Sequence, residues 1–252
     1  YLAGIAAGMK LNEMIENGTE INGVKVTKEN AKIGYVGAFT YAEVISGYTS
    51  FFLGARSVCP TVTMDVTFTG SWYDETLEKE GAEKLIQGGC KLISQHADSL
   101  GAPTACENAG VPNVSYNGST KEAGPNTYII SSRINWAPYY QYAIQCVIDG
   151  KAIDADWTGT LATGSVVLTE LNTDVAAAGT QEAIDAAIAK LESGELHVFD
   201  CATFTTKADD TMNPFKVDFL KVDADGHITS YLADVDTDEA YTGDTEVVEN
   251  GY

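Results

Sequence analysis

Apolar positions in the first 130 residues alternate between helical spacing and the short, continuous runs that are typical of buried strands. Helical spacing is found over residues 2–15, 44–58, 75–87 and 102–109. The apolar, often β-branched runs lie at 32–37, 61–69, 91–94, 111–116 and 128–132. Strands that alternate with helices indicate βαβ units, so the pattern predicts an α/β fold whose parallel sheet is flanked by helices.

The second half of the chain continues this pattern and then departs from it. A helix is predicted over about 136–148 and ends at Gly150, a strand over 164–168, and an alanine-rich helix over 181–191. Residues 216–222 and 227–232 read as a hairpin around Asp223-Ala224-Asp225-Gly226. The last twenty residues are acidic and lack periodicity, so we expect an irregular extension there.

Charge excludes one large class of partners. The chain of 252 residues has 36 Asp and Glu against 15 Lys and Arg, for a net charge of −21. A nucleic-acid-binding protein needs a basic surface, so nucleic acid is not an expected partner, and anionic membrane surfaces are disfavoured for the same reason. No apolar run reaches the roughly 18 residues of a membrane span. Because the chain opens with Tyr1 inside a helical pattern, we expect a fragment or processed chain whose upstream part is missing.

The five cysteines predict neither a disulfide framework nor a metal site. Their number is odd and their spacing is wide, and the simplest interpretation is that they are small buried apolar residues. The cysteines are Cys59, Cys90, Cys106, Cys146 and Cys201.

Candidate binding residues follow the predicted strands. Ligands of open parallel sheets bind at the carboxyl ends of the strands. Aromatic planes suit a flat heterocycle, and carboxylate or amide groups can hydrogen-bond its polar edge. The residues selected by this rule as ligand-binding are Phe39, Trp72, Tyr73, His96, Asp98, Asn117 and Trp136.

Other chemistries have weaker support. His96 and Asp98 resemble part of a catalytic triad, with Ser94 or Ser99 as nucleophile, but no Gly-x-Ser-x-Gly turn is present and no catalytic residue is assigned. The three histidines lie far apart, so no metal site is expected, and no cofactor either. The Gly34-x-x-Gly37 pair lacks a full nucleotide-binding fingerprint. The segment at Asp223 could be a calcium loop, although a plain hairpin turn is favoured.

At these residues the sequence resembles the basic membrane protein family of solute-binding lipoproteins, which includes bacterial purine-nucleoside receptors. The resemblance covers roughly residues 1–200, in the family's order and spacing. It is carried by Tyr1–Gly8, Lys32–Gly37, Val44–Tyr48, Phe51–Arg56, Thr69–Asp74, Gln95–Ser99 and Asn135–Tyr140. The Gly-Ser-Trp-Tyr-Asp and Gln-His-x-Asp-Ser segments are the most specific of these.

The resemblance implies a type I periplasmic-binding-protein fold, in which two α/β lobes close on a ligand. It implies a purine base or nucleoside as ligand, an ABC permease as partner, and a lipid-anchored position outside the cytoplasmic membrane, through an N-terminal anchor absent from this chain. Trp72 would stack on the base, Asp98 and Asn117 would hydrogen-bond it, and Phe39 and Trp136 would line the cleft. Asn117 departs from the family's pattern, where an Asp is expected, which puts the ligand's identity in doubt.

The same resemblance implies a division of the chain. Residues 1–133 would form the second lobe, residues 134–157 would cross the hinge and pack toward a first lobe that is largely missing, and residues 158–252 would return to the second lobe before the hairpin and acidic extension. A sensory receptor of the same fold for another small solute, or a nucleoside-processing enzyme, remain alternatives to an import receptor.

Overall fold

The computed structural model describes residues 1–199, 220–222 and 228–231. The helices are α1 (Leu2–Asn17), α2 (Ala42–Val58), α3 (Glu75–Gln87), α4 (Gly101–Ala109), α5 (Ala137–Asp149) and α6 (Thr180–Ser193). The strands are β1 (Glu20–Ile21), β2 (Val24–Lys25), β3 (Lys32–Gly37), β4 (Thr63–Phe68), β5 (Leu92–His96), β6 (Asn113–Tyr116), β7 (Tyr128–Ile134), β8 (Val166–Leu168), β9 (Leu220–Val222) and β10 (Ile228–Tyr231).

A six-stranded sheet organises the chain, in the order β4-β3-β5-β6-β7-β8. The first five of these strands are parallel, and the sixth, β8, runs antiparallel to β7 at one edge. The chain passes from β3 to β4 on one side and then returns to place β5 on the other side of β3. The switch point of the topology therefore lies between β3 and β5, where α/β proteins characteristically bind ligands.

The predicted α/β architecture with a mostly parallel sheet is confirmed, and each helix and strand predicted up to residue 191 is present near its expected bounds. The structure also shows that β8 is antiparallel to β7. The sequence could not predict this, because the apolar pattern of 164–168 indicates a strand but not its direction. A small hairpin of β1 and β2 was not predicted. Its signal is Asn22-Gly23, both with positive φ, as a two-residue type I′ turn requires.

Helices α1 and α2 pack against each other without intervening side chains. A Cβ built on Gly4 would lie 1.9 Å from the carbonyl oxygen of Phe51, and one built on Gly54 would lie 1.9 Å from that of Tyr1. The two helices cover one face of the sheet, and Leu11, Tyr48 and Phe52 are buried in the resulting core. Only glycine permits this approach, so the α1–α2 contact is fixed by backbone geometry.

Helices α3 and α4 lie over the other face. Ala82 and Ile86 of α3 and Ala102 and Cys106 of α4 join a second apolar cluster with Ile93 of β5. Both faces of the parallel strands are therefore buried, which explains the continuous apolar runs in the sequence.

Helix α5 differs from the other helices because its apolar side chains are exposed. Tyr140, Ile144 and Val147 are all more than half exposed, Ile148 is 72% exposed, and Cys146 is the buried residue of the helix. In the described part of the chain, no helix combines the length and the apolar character that crossing a membrane would need.

Four of the cysteines are free and buried, as expected: Cys59, Cys90, Cys106 and Cys146. Burial raises the pKa of Cys90 to about 12. Cys201 and the acidic C-terminal extension lie outside the described residues. Strands β9 and β10 pair antiparallel, which confirms the predicted hairpin, while its turn at residues 223–227, and with it the calcium-loop alternative, also lies outside them.

Candidate functional site

The candidate site begins at the paired ends of β3 and β5. Gly37, the last residue of β3, lies in register with His96, the last residue of β5. Phe39 follows β3, and Trp72 follows β4, the next strand along the edge. These three side chains therefore meet at the carboxyl rim of the sheet, beside its switch point.

Aromatic rings form a continuous cluster at this rim. The Phe39 ring stacks on that of Tyr41, with centroids 5.0 Å apart and 18° between the planes, and meets the Trp72 ring edge-on at 5.3 Å. Trp72 in turn lies 6.2 Å from the His96 ring, which lies 4.2 Å from the ring of Tyr116. Trp72 keeps 38% of its surface exposed, so part of its side chain is accessible to solvent. Such a surface can stack on a flat ligand.

His96 is the most buried polar group of the cluster. The sequence places it in the loop after the third strand, whereas the structure places it inside β5, where it is 4% exposed. Burial lowers its pKa from 6.5 to about 4, so its imidazole is neutral at pH 7. Its Nε2 atom has no hydrogen-bond partner among the described residues, and the nearest carboxylate oxygen, Oε1 of Glu43, lies 3.7 Å away. A buried polar atom without a partner is costly and is often completed by a ligand or water.

The unpartnered Nε2 bears on the catalytic alternative. In a triad, a histidine nitrogen accepts a hydrogen bond from the nucleophile. Here the Nε2 atom of His96 is bonded to no serine hydroxyl, and Ser99 instead accepts a hydrogen bond on its Oγ from the backbone of Gly101. Across the described ranges, no group of three or more His, Cys, Asp or Glu side chains is placed to hold a metal ion.

Two further predicted residues lie beside the cluster. Asp98 is exposed, and its backbone N–H donates to the carbonyl oxygen of Trp72 at 3.0 Å. Asn117 is exposed, adopts a left-handed backbone with φ 64°, and is tied by its N–H to the carbonyl oxygen of Ser132 at 2.7 Å. Asparagine tolerates this conformation better than most residues. Because Asn117 is exposed, its side-chain amide is accessible to solvent at the rim.

The remaining two predicted residues do not join the cluster. Tyr73 is 66% exposed and lies in ring contact with none of the described aromatic side chains. Trp136 belongs to a second aromatic group on α5 and the segment after it, formed with Tyr139, Tyr140, Tyr142 and Trp157. The structure thus brings together Phe39, Trp72 and His96, with Asp98 and Asn117 at their edge.

The sequence analysis missed three residues of the rim. Tyr41 immediately precedes α2, Glu43 lies in its first turn, and Tyr116 ends β6. Burial, followed by the negative charges of Glu43 and Asp98, raises the pKa of Tyr116 to about 12. For Tyr41 and Glu43 the signal was available, because residues that open a helix directly after a parallel strand lie at the same rim as the strand's end, and Tyr116 lies there as the last residue of β6.

A cleft of about 760 Å³ adjoins this cluster on the side of α2 and β7. Glu43, which faces His96, also lines the cleft. Hydroxyl groups contribute its polar part, at Ser46, Ser50, Ser132 and Thr160. Its apolar part includes Leu161, Val166, Leu168, Leu191 and Phe199. The volume lies in the range of small-molecule sites, and aromatic, acidic and hydroxyl groups converge along one rim.

Comparison with known proteins gives a family match over most of the chain. The model of the Bmp family, described as PnrA-like ABC transporter substrate-binding proteins, matches residues 1–196. A Haloferax volcanii protein that carries the name of an ABC transporter glucose-binding protein is 33% identical over 214 residues, which are 83% of this chain and 49% of that protein. A Brucella abortus protein named as purine-binding is 30% identical over 194 residues, 75% of this chain and 54% of that protein. The chain thus spans about half the length of the curated relatives it matches.

Solved structures give the same fold. An ABC transporter solute-binding protein of Aeropyrum pernix superposes with a TM-score of 0.63 and 20% sequence identity, covering 86% of this chain and 66% of that one. At this identity the likeness bears on the fold alone, and it confirms the predicted periplasmic-binding-protein fold.

Proposed function

The chain belongs to the Bmp family of PnrA-like ABC transporter substrate-binding proteins, and on this premise we propose that it binds a purine base or nucleoside for import. The observation that carries the proposal is the rim cluster, in which the partly exposed Trp72 side chain lies 6.2 Å, ring to ring, from His96, whose buried Nε2 atom has no partner among the described residues. A purine offers a flat ring for stacking and polar edge atoms for hydrogen bonding, and the two features match it.

Each rim residue has a proposed role. Trp72 stacks on the base, with Phe39 supporting the indole edge-on. Neutral His96 exchanges a hydrogen bond with the base edge, and Asp98 and Asn117 bind its remaining polar groups. Tyr73 and Trp136 line the opening of the site. The Brucella relative's name supports the purine class.

The cleft beside Glu43 favours a nucleoside over a free base. Its serine and threonine hydroxyls, together with the Glu43 carboxylate, can accept hydrogen bonds from the hydroxyls of a pentose. A nucleoside whose base stacks on Trp72 would direct its sugar toward this cleft, since Glu43 contacts both regions.

Delivery to an ABC permease is part of the proposal. Substrate-binding proteins of ABC importers work outside the cytoplasmic membrane, and we propose that position for this protein, with an N-terminal lipid anchor. Because the chain spans about half of its curated relatives, we propose that a first lobe, closing over Trp72, completes the site.

The test is calorimetry against adenine, adenosine, inosine, guanosine, uridine, glucose and alanine. It is run on the 252-residue chain and on the longest polypeptide encoded by the reading frame that contains it. Micromolar or tighter binding of a purine, lost in Trp72→Ala, supports the proposal. Failure of every purine to bind while another solute does would overturn the purine assignment.

Glucose is the second candidate ligand, because the Haloferax relative carries that name. Sugars also stack on aromatic faces, so the Trp72 surface alone does not separate the two classes. The calorimetric panel separates them, because it sets glucose beside the nucleosides. Recovery of unaltered nucleoside after incubation separates a receptor from a nucleoside-processing enzyme.

A further inference from the structure

Glu78 is a buried carboxylate that joins two loops of the rim. It lies in the first turn of α3, and its side chain has no exposed surface. Its Oε1 accepts a hydrogen bond from the backbone N–H of Asp74 at 3.1 Å. The backbone N–H of Ser99 donates to both carboxylate oxygens, at 3.3 and 3.2 Å.

The two N–H donors belong to different loops. Asp74 ends the loop after β4, which carries Trp72, and Ser99 belongs to the loop after β5, which carries Asp98. A direct backbone bond from Asp98 N–H to the Trp72 carbonyl oxygen crosses between the same loops. One carboxylate and one backbone bond therefore tie together the two loops that carry Trp72 and Asp98.

We propose that Glu78 is a positioning residue for ligand recognition, which holds the loops of Trp72 and Asp98 in one arrangement without touching the ligand itself. This rests on the proposed function, because Trp72 and Asp98 are its recognition residues.

Helix capping accounts for only one of the Glu78 contacts, since the bond from the Asp74 N–H resembles the reciprocal half of a capping box. Asp74 already caps α3, since its Oδ1 accepts the N–H of Leu77 at 2.9 Å. The bond from Ser99 reaches across to another loop and satisfies nothing in α3. Burial raises the pKa of the Glu78 carboxyl, so its ionised form is held in the fold at a cost in stability.

The first measurement needs no ligand. In Glu78→Gln the side-chain N–H₂ replaces one acceptor oxygen and opposes the Ser99 N–H. We expect amide exchange at Ser99 and Asp98 to accelerate about tenfold, while the amides of β3 keep their rates. The indole N–H resonance of Trp72, identified by its absence in Trp72→Phe, should shift. Unchanged exchange at Ser99, or an unmoved Trp72 resonance, would overturn the proposal.

The second measurement is affinity for the purine that the calorimetric panel identifies. We expect Glu78→Gln to weaken binding about tenfold and Glu78→Ala to weaken it further. The matched control is Glu107→Gln on α4. Glu107 also accepts hydrogen bonds across a loop, from the Asn126 backbone and the Thr127 hydroxyl, but at the amino end of β7. Its replacement should leave affinity within twofold.

The outcomes separate this inference from the proposed function. Loosened loops with unchanged purine affinity would overturn the positioning role and leave the proposed function standing. A parent protein that binds no purine overturns the proposed function, and the exchange and resonance measurements then still decide whether Glu78 fixes the two loops.

Discussion

The backbone N–H of Asp98 donates to the carbonyl oxygen of Trp72 at 3.0 Å, across the gap between two loops that leave neighbouring regions of the sheet rim. The bond holds the backbones of the two loops together in the absence of a ligand. Loops that are fixed in advance lower the ordering cost of binding, so we expect this part of the proposed site to change little when a ligand binds.

Removal of the Trp72 indole should cost binding directly. Stacking of a base on an aromatic side chain contributes about 1–3 kcal/mol, so Trp72→Ala should weaken purine binding roughly 10- to 100-fold. Trp72→Phe should lose less, because a smaller plane remains. Calorimetry measures both. Trp157→Ala is the control, since that indole packs on Tyr139 and Tyr142 in the other aromatic group. An equal loss in the two alanine variants would contradict a stacking role for Trp72.

Burial of His96 should make the fold sensitive to acid. Its folded-state pKa of about 4 lies below the ordinary 6.5, so its stabilising contribution is present above pH 6.5 and is lost as the pH falls toward 4. The full loss is about 3 kcal/mol. His96→Gln cannot be protonated and should lack this loss. Urea unfolding at pH 7 and pH 4.5 measures the difference. A parallel pH dependence of the two proteins would show that His96 is not buried in neutral form.

The Glu78 carboxyl should make stability change with pH in the opposite direction to His96. Burial, the largest cause, raises the pKa of its carboxyl above the ordinary 4.5. A carboxyl with a raised pKa ionises more readily in the unfolded chain, so stability is lost as the pH rises through 4.5 toward the folded pKa. The stability of the parent relative to Glu78→Gln should therefore be higher at pH 4 than at pH 7. Because His96 is present in both proteins, its contribution cancels. A stability difference between the two proteins that does not change with pH would contradict the raised pKa of Glu78.

The α1–α2 contact should be disrupted by the addition of a single methyl group. Gly4→Ala places a Cβ 1.9 Å from the Phe51 carbonyl oxygen, and the helices must separate. The expected destabilisation is about 2–3 kcal/mol by urea unfolding. Gly81→Ala in α3 is the control, because its Cβ comes no closer than 3.3 Å to a Thr67 methyl group. Helix propensity offsets that contact, so the change should be about zero. Equal losses would indicate a general intolerance of alanine instead of a helix contact.

The helices and strands could be predicted well, because the spacing of apolar residues distinguishes a helix from a strand whether the apolar face is buried or, as in α5, exposed. The sequence also predicted the rim, since the ends of parallel strands meet at one edge. The direction of β8 was not predictable, because it depends on the path of the chain from α5 back to the sheet. Tyr41 and Glu43 were not predicted, because they lie at the start of α2, beyond the strand end to which the rule for parallel sheets points.

Contacts between loops could not be predicted from the sequence. Glu78 looks like an ordinary first-turn acid of a helix, and nothing in its spacing points to Ser99, twenty-one residues later. Trp136 shows the reverse problem. The resemblance places it with the other site residues, yet in this chain it packs within the aromatic group of α5. Whether it reaches the ligand depends on an approach between lobes, which remains a prediction.

Asn135 connects the end of β7, where the chain leaves the sheet, to the start of β8, where the chain returns. Its backbone N–H donates to the carbonyl oxygen of Ser165 at 2.7 Å, and its side-chain amide donates to that of Gly164 at 2.9 Å. The segment from Trp136 to Thr163, which includes α5, therefore leaves the sheet and returns to it at neighbouring points. Because the two ends of this segment adjoin, α5 can change its position relative to the sheet while β7 and β8 keep their register, and the pivot of such a movement would lie at Asn135.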